Sequence, residues 1–220
     1  MKQILIVERL FDGEVFHQNM AVTMDEGKIT AVTSAAEVVD ADPSMLTHLA
    51  GTLVPGFVDV QVNGGGGALF NDQPSVECIE TIGRAHARFG TTGFLPTLIT
   101  DDVSVMAKAA DAVADAIKHN KAGVLGVHFE GPHLSVPKKG VHPQQFIRKI
   151  SDEELAIFSR QDLGIKVVTL APENVSTQVI KSLVKAGVRV CLGHSNADYD
   201  TVVAALDAGA SGFTHLFNAM

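Results

Sequence analysis

Cysteine is scarce in this sequence. The 220 residues include two cysteines, Cys78 and Cys191, which lie far apart and form no C-x-x-C pair. The chain starts with MKQILIVERLFDG, which lacks the pattern of a secretory leader. Disulfides belong mainly to exported proteins and are rare where thiols are kept reduced. The sequence therefore favours a cytoplasmic protein over an exported one.

Positive charge and long apolar runs are also limited. The formal net charge is -8 at pH 7, the isoelectric point is about 5.5, and the lysines and arginines are scattered. A negative surface does not attract nucleic acid or an anionic membrane, and no run approaches the roughly 20 apolar residues that span a bilayer. A hydrophobic content of 46% with a mean hydropathy of +0.20 predicts a soluble globular protein with a substantial core.

Nucleotide-binding signatures are missing as well. The sequence contains neither G-x-G-x-x-G nor G-x-x-x-x-G-K-[ST]. The glycine run NGGGG at 63–67 leads into ALFND, without the lysine and hydroxyl that a phosphate loop needs. We therefore do not expect a nucleotide-binding site.

The pattern of the chain changes near residue 54. Before it, short strand-like segments are separated by Asp12-Gly13 and Glu26-Gly27, pairs typical of hairpin turns. After it, six strand-like segments alternate with helices or loops, which is typical of an α/β fold with a parallel sheet. The predicted strands are 56–63, 93–100, 123–131, 166–173, 188–196 and 212–220, and the predicted helices are 75–89, 103–119, 152–160, 176–186 and 198–208. We predict an all-β part, 1–53, and a domain, 54–220, with strands one to six of a (β/α)₈ TIM-type barrel.

Polar side chains stand at the carboxyl ends of these strands, where a parallel barrel places its active site. They are Gln61 and Asn63 after strand one, Glu130 and His133 after strand three, His194, Ser195 and Asn196 after strand five, and His215 and Asn218 after strand six. We expect Glu130, His194 and His215 to meet at one rim. Two imidazoles with one carboxylate are a common donor set for zinc and leave a coordination position open for water. The strand ends thus predict a divalent-metal site of the kind that hydrolases use.

Each of these residues also has a structural interpretation. A single histidine at a strand end is more often a hydrogen-bonded structural residue than a ligand, and a single carboxylate there is usually solvated or salt-bridged. Three such groups on three strands reverse that balance in favour of a metal. His128 shares a strand face with Glu130 but lies deeper, and we expect it to pack or to support the site.

Longer motifs resemble a known family. They are VPGFVDVQVNGGGG, TTGFLPTLIT, HFEGPHLSVPKKGVHPQQF, VTLAPE, LGHSNA and THLFNAM, and together they resemble the N-acetylglucosamine-6-phosphate deacetylases of the amidohydrolase superfamily. The resemblance runs through nearly the whole chain. It implies a (β/α)₈ barrel beside a small β-sandwich, to which 1–53 would contribute, and a homodimer. The implied reaction is hydrolysis of the acetamide of N-acetyl-D-glucosamine 6-phosphate to D-glucosamine 6-phosphate and acetate.

The same resemblance implies roles for individual residues. It places one divalent metal ion, zinc before iron, manganese or cobalt, on Glu130, His194 and His215. It gives His142 the role of polarising the substrate carbonyl or contacting the substrate, and it gives Asn218, Ala219 and Gln61 substrate contacts. Many amidohydrolases carry Asp-x-His-x-His on strand one, whereas this chain has Asp-Val-Gln-Val-Asn at 59–63. Because amides bind divalent ions more weakly than imidazoles do, this departure implies a single-metal site.

The resemblance also implies parts that the 220 residues lack. Family members continue well beyond the position of Met220 and place the general acid/base aspartate on strand eight. We therefore expect the 220-residue chain alone to have little or no deacetylase activity, and its arc of six strands to expose two strand edges. Two other functions stay open: an amidohydrolase acting on a cyclic amide or ureide, and a non-catalytic sugar-phosphate-binding or assembly protein.

Overall fold

The chain forms two units, of which the computed structural model describes residues 2–218. The division falls between Gly56 and Phe57, close to the change of pattern in the sequence. None of the helices within 2–218 combines the length and the apolar character that crossing a membrane requires.

The first unit is a four-stranded sheet. Its strands are β1 (Gln3–Phe11), β2 (Phe16–Asp25), β3 (Lys28–Ser34) and β4 (Leu46–Leu53), in the order β3-β2-β1-β4. The neighbours β1 and β2, and β2 and β3, are antiparallel, whereas β4 runs parallel to β1. Glu26 and Gly27 form the two-residue turn before β3, and both have the left-handed φ of such hairpin turns, 48° and 76°.

A small core of Val7, Leu10 and Val22 lies on one face of this sheet. A second sheet is not found in the described part of this unit. The β-sandwich therefore stays a prediction.

The second unit is built on a six-stranded parallel sheet. In sheet order its strands are β12 (Gly212–Phe213), β11 (Val188–Leu192), β10 (Ile165–Leu170), β9 (Gly126–Glu130), β8 (Thr91–Ile99) and β5 (Phe57–Val62). Every neighbouring pair in this order is parallel. The segments between the strands hold helices α1 (Val76–Ala87), α2 (Val103–Lys118), α3 (Asp152–Phe158), α4 (Thr177–Lys185) and α5 (Tyr199–Asp207). The predicted α/β fold with strands one to six of a TIM-type barrel is confirmed. The predicted strand 212–220 is shorter in the structure, where β12 ends at Phe213, and residues 219 and 220 lie outside the described part.

Local sequence explains these elements. All five residues of β9 are buried, as expected for a parallel sheet covered on both faces. In α2 the buried positions recur every three or four residues, so one stripe of the helix packs on the sheet. Each helix begins after a serine or aspartate whose side chain accepts a backbone N–H of the first turn; these residues are Ser75, Asp102, Ser151, Ser176 and Asp198.

The glycine run at 63–67 has a packing role. It belongs to a short hairpin of β6 (Gly64–Gly65) and β7 (Ala68–Leu69) that lies against α1. A Cβ atom at Gly65 would lie 3.0 Å from ring atoms of His86, so a larger residue there would require the His86 side chain to shift. His86 also contacts the Gly64 carbonyl oxygen through Nε2 at 2.9 Å.

The parallel sheet is curled. His128 on β9 donates from Nδ1 to the carbonyl oxygen of Val60 on β5 at 3.0 Å, although β8 lies between these strands. Its Nε2 accepts a 2.7 Å hydrogen bond from the hydroxyl of Thr169, which lies 2.8 Å from the hydroxyl of Thr214. This hydrogen-bonded chain crosses the inner face of the arc from β5 to the end of β12.

Candidate metal centre

Three side chains from three strands meet at the carboxyl edge of the parallel sheet. Glu130 ends β9, His194 follows β11 and His215 follows β12. Nε2 of His194 and Nε2 of His215 each lie 3.1 Å from Oε1 of Glu130. One ligand atom from each residue lies within 4.8 Å of the other two. The structure thus brings the three predicted ligands together, and their two nitrogens and one oxygen suit zinc or a similar divalent ion.

Both histidines have left-handed backbones. The φ angle is 49° at His194 and 58° at His215, a region that non-glycine residues seldom adopt. Backbone hydrogen bonds fix both positions: the carbonyl oxygen of His194 accepts from Ser135 N at 2.9 Å, and that of His215 accepts from Asn218 N at 2.7 Å. Conformations of this kind cluster at functional sites, where the surrounding structure holds them in place.

The protonation of His194 is set by its neighbours. Its Nδ1 lies 2.9 Å from the carbonyl oxygen of Lys138, which can only accept, so Nδ1 carries a proton and Nε2 is the ring nitrogen that faces Glu130. Ligating histidines in metal sites are usually oriented in this way. Burial lowers the pKa of His194, but the hydrogen bonds to Glu130 and to the Lys138 carbonyl outweigh burial and raise it.

The carboxyl group of Glu130 is ionised at neutral pH. Burial raises its pKa, but the hydrogen bond from His194 and the charges of the surrounding histidines lower it to about 2. The result is a buried anion, 2% exposed, among imidazoles. That arrangement fits a cation.

His142 points into the same site from the loop after β9. Its Nε2 lies 3.9 Å from Oε2 of Glu130, and its ring centroid lies 4.4 Å from that of His194. Its Nδ1 accepts from the backbone N–H of Thr100 at 3.3 Å and lies 2.8 Å from the Thr100 hydroxyl. Because a backbone N–H can only donate, the proton of the neutral ring sits on Nε2, which faces the cavity. Burial lowers the pKa of His142 to about 4, so the ring is neutral at pH 7.

These groups line a cavity of ≈ 330 Å³. Gln61 and Asn63 form part of its wall, and the amide nitrogen of Asn63 is buried without a hydrogen-bond partner in the described structure. A buried donor of this kind is available to a bound ligand. Asn218 is exposed and is not among the described residues of the wall, and Ala219 lies outside the described residues.

Sequence reasoning missed three contributors to the site. Thr100 stands at the end of a predicted strand, so the strand-end rule that found Glu130 would also have found it. Glu173 follows β10 and accepts from Ser195 Oγ at 2.8 Å and from Asn196 N at 2.7 Å, which fixes the segment after His194. The Lys138 carbonyl has no signal in the sequence, because any residue supplies a backbone oxygen.

Comparison with known families agrees with this geometry. The sequence profile described as the Amidohydrolase family matches residues 52–220. The chain belongs to the amidohydrolase family. Amidohydrolases are metal-dependent, and Glu130, His194 and His215 form a group that can hold a metal in this amidohydrolase.

The relatives of this amidohydrolase include named deacetylases. The chain is 50% identical over 204 residues to an N-acetylgalactosamine-6-phosphate deacetylase of Shewanella sp. (strain ANA-3), covering 92% of this chain and 52% of the relative. It is 38% identical over 203 residues to an N-acetylglucosamine-6-phosphate deacetylase of Haemophilus influenzae, covering 92% of this chain and 53% of the relative. The chain thus spans about half the length of the curated relatives it matches.

A solved structure agrees with these matches. The crystal structure of N-acetylglucosamine-6-phosphate deacetylase from Pasteurella multocida superposes with a TM-score of 0.87 at 36% identity, over 100% of this chain and 58% of that one. The predicted resemblance to this family is confirmed.

Proposed function

We propose that this amidohydrolase is a deacetylase that hydrolyses the acetamide of N-acetyl-D-glucosamine 6-phosphate to D-glucosamine 6-phosphate and acetate. The observation that carries the proposal is one cavity that combines Glu130, His194 and His215 with the buried neutral donor His142. Hydrolysis of an amide needs an activated water and a donor for the carbonyl oxygen, and these residues fit both requirements. The relatives named as deacetylases support the substrate class.

The proposed cofactor is one divalent ion, zinc before iron, manganese or cobalt. Glu130 would give the anionic ligand and the two histidines the neutral ones, a donor set that these metals accept. A bound ion would supply Lewis acidity and lower the pKa of a coordinated water. We propose a single ion because strand β5 brings no imidazole to the cavity wall. It contributes the amide of Gln61, and Asn63, the residue after the strand, contributes a second amide.

The remaining residues act on the substrate. His142 would donate its Nε2–H to the acetamide carbonyl oxygen and stabilise the negative charge that develops there. It needs no deprotonation for this role, because the ring is already neutral at pH 7. Gln61 would hydrogen-bond near the ion or the substrate from the cavity wall. Asn218 and Ala219 are proposed to hold the sugar phosphate.

A second candidate substrate is N-acetylgalactosamine 6-phosphate. The observation that favours it is the 50% identity to a relative named for that substrate, against 38% for the Haemophilus relative. The two sugars differ only in the configuration of one ring hydroxyl, at C4, so the same acetamide chemistry serves both. A direct comparison of the two substrates decides between them.

The test combines binding with turnover in the zinc-loaded 220-residue chain. Calorimetry measures affinity for both amino-sugar phosphates, with unphosphorylated N-acetylglucosamine as the control, and an enzymatic acetate assay measures hydrolysis. Acetate release that is lost in His142→Asn supports the proposal. Binding without acetate release supports the site and agrees with the expected low activity of this chain alone. Affinity for neither phosphate contradicts the proposal and favours an amidohydrolase acting on a cyclic amide.

The homodimer and the cytoplasmic location stay predictions. Light scattering of the purified chain, with and without zinc, measures the oligomeric state. A monomer at micromolar concentration would contradict the homodimer for this chain.

A further inference from the structure

The loop between β9 and α3 touches the metal centre at three points. We name residues 131–148 the clasped loop. The Lys138 carbonyl oxygen accepts a hydrogen bond from Nδ1–H of His194, and the Ser135 N–H donates to the His194 carbonyl oxygen at 2.9 Å. His142 extends from the same loop into the cavity. The position of this loop therefore decides how His194 presents its Nε2.

The two ends of the clasped loop are joined to each other. The N–H of Arg148 donates to the Pro132 carbonyl oxygen at 3.3 Å. His133 donates from Nδ1 to the Arg148 carbonyl oxygen at 3.0 Å, and the His133 side chain is fully buried. Arg148 thus closes the loop through both of its backbone groups.

The side chain of Arg148 fixes this closure. Its Nε and Nη2 each lie 2.8 Å from Oε1 of Glu154, while Nη1 donates to the carbonyl oxygens of Asp101 at 2.8 Å and Phe146 at 2.7 Å. The Glu154 side chain is 0% exposed, and its Oε2 accepts from Ser151 N and Oγ at 2.8 and 2.9 Å. Arg148 therefore ties the loop to a buried anion in the first turn of α3 and to the segment after β8.

We infer that Arg148 is a positioning residue for the metal centre: its pairing with Glu154 closes the clasped loop, whose Lys138 carbonyl holds His194 ready to bind a cation. The inference rests on the proposed function only in that the Glu130 group binds a metal. If the pair stabilised only α3, removing it would lower the stability of the chain but leave the metal affinity of the folded chain unchanged.

The test measures zinc affinity by competition with a chromogenic chelator. Arg148→Met keeps most of the aliphatic stem and removes the guanidinium, and we expect zinc binding about 10- to 100-fold weaker, the loss typical when a ligand's hydrogen-bond support is disturbed. The matched control is Arg160→Met, because Arg160 forms ion pairs with Asp111 and Asp162 on the surface, at 2.6 and 2.8 Å. The control should keep wild-type zinc affinity.

Two further variants separate folding from positioning. Arg148→Met leaves the Glu154 charge buried without its partner, a costly change, so the double variant Arg148→Met/Glu154→Gln removes that charge as well. Arg148→Lys keeps a cation beside Glu154 but loses the planar fork, and its affinity should fall between the wild type and Arg148→Met. Wild-type zinc affinity in any of these three variants, once folded by circular dichroism, overturns the inference. A wild-type chain that binds no zinc would refute the metal centre itself, and the inference with it.

Discussion

Replacing Glu130 by glutamine tests the proposed metal centre at the residue that both candidate histidine ligands contact. The carboxyl group is ionised in the folded chain, because its pKa lies at about 2 instead of the ordinary 4.5. At about 1.36 kcal/mol for each pKa unit, this difference corresponds to about 3 kcal/mol. Since the folded pKa is depressed, the stabilisation is present above about pH 4.5 and is lost as the pH falls towards 2. Metal-free Glu130→Gln should therefore be less stable at pH 7 by at most about 3 kcal/mol, because His142, whose charge helps to lower the pKa of Glu130, is neutral at that pH.

The proposed zinc ion would add a second effect on stability. A free zinc concentration of 100 times Kd stabilises a binding protein by about 2.7 kcal/mol. Loss of the anionic ligand should weaken binding by more than about 100-fold, because disturbing only the partner of a ligand already costs about 10- to 100-fold. At the same zinc concentration the variant would gain about 0.4 kcal/mol or less. The wild type and the variant should therefore differ more with zinc than without it.

Urea unfolding with and without zinc measures both effects. The matched control is Glu80→Gln, which alters a carboxylate of α1 that pairs with Lys121 at 2.6 Å and lies outside the metal group. The control should keep the full stabilisation by zinc. If zinc stabilises Glu130→Gln as much as the wild type, Glu130 is not a ligand and the reasoning fails.

Two further predictions concern the residues around the centre. Thr100→Val removes the hydroxyl beside His142 and should weaken binding of the amino-sugar phosphate about fivefold, as expected for one net hydrogen bond of about 1 kcal/mol, while Thr100→Ser keeps wild-type affinity by calorimetry. Equal affinity in both variants would exclude a role for the hydroxyl. Burial lowers the pKa of His133 below its ordinary 6.5, so this residue binds a proton more readily in the unfolded chain. Its contribution to the free energy of unfolding therefore falls as the pH drops below about 6.5. His133→Asn should flatten this slope in urea unfolding between pH 7 and about 5, and an unchanged slope would contradict the reasoning.

The repeating part of the fold was predictable from the sequence because its signals are local. Buried strands and amphipathic helices alternate after residue 54, and each helix has a capping residue. The strand-end rule also placed Glu130, His194 and His215 at one rim, since parallel strands share a direction and their carboxyl ends share an edge. The meeting of these three residues can therefore be predicted without knowing any long-range contact.

The parts that sequence reasoning missed depend on the backbone. The predicted strand 212–220 stops at Phe213, because the left-handed φ of His215 is incompatible with an extended strand. The orientation of His194 depends on the carbonyl oxygen of Lys138, far away in sequence. The clasped loop is held by Arg148 and Glu154, which read in the sequence as an ordinary charged pair near a helix start.

The left-handed backbones of His194 and His215 restrict which amino acids can replace these two histidines. Asparagine and aspartate tolerate this conformation, whereas β-branched residues do not. Aspartate at either position would therefore keep the chain path and exchange an imidazole for a second carboxylate. Oxygen-rich sites favour manganese or magnesium over zinc. A single substitution would thus shift the metal preference of the site towards harder ions such as manganese or magnesium. Few other amino acids fit the backbone at these two positions.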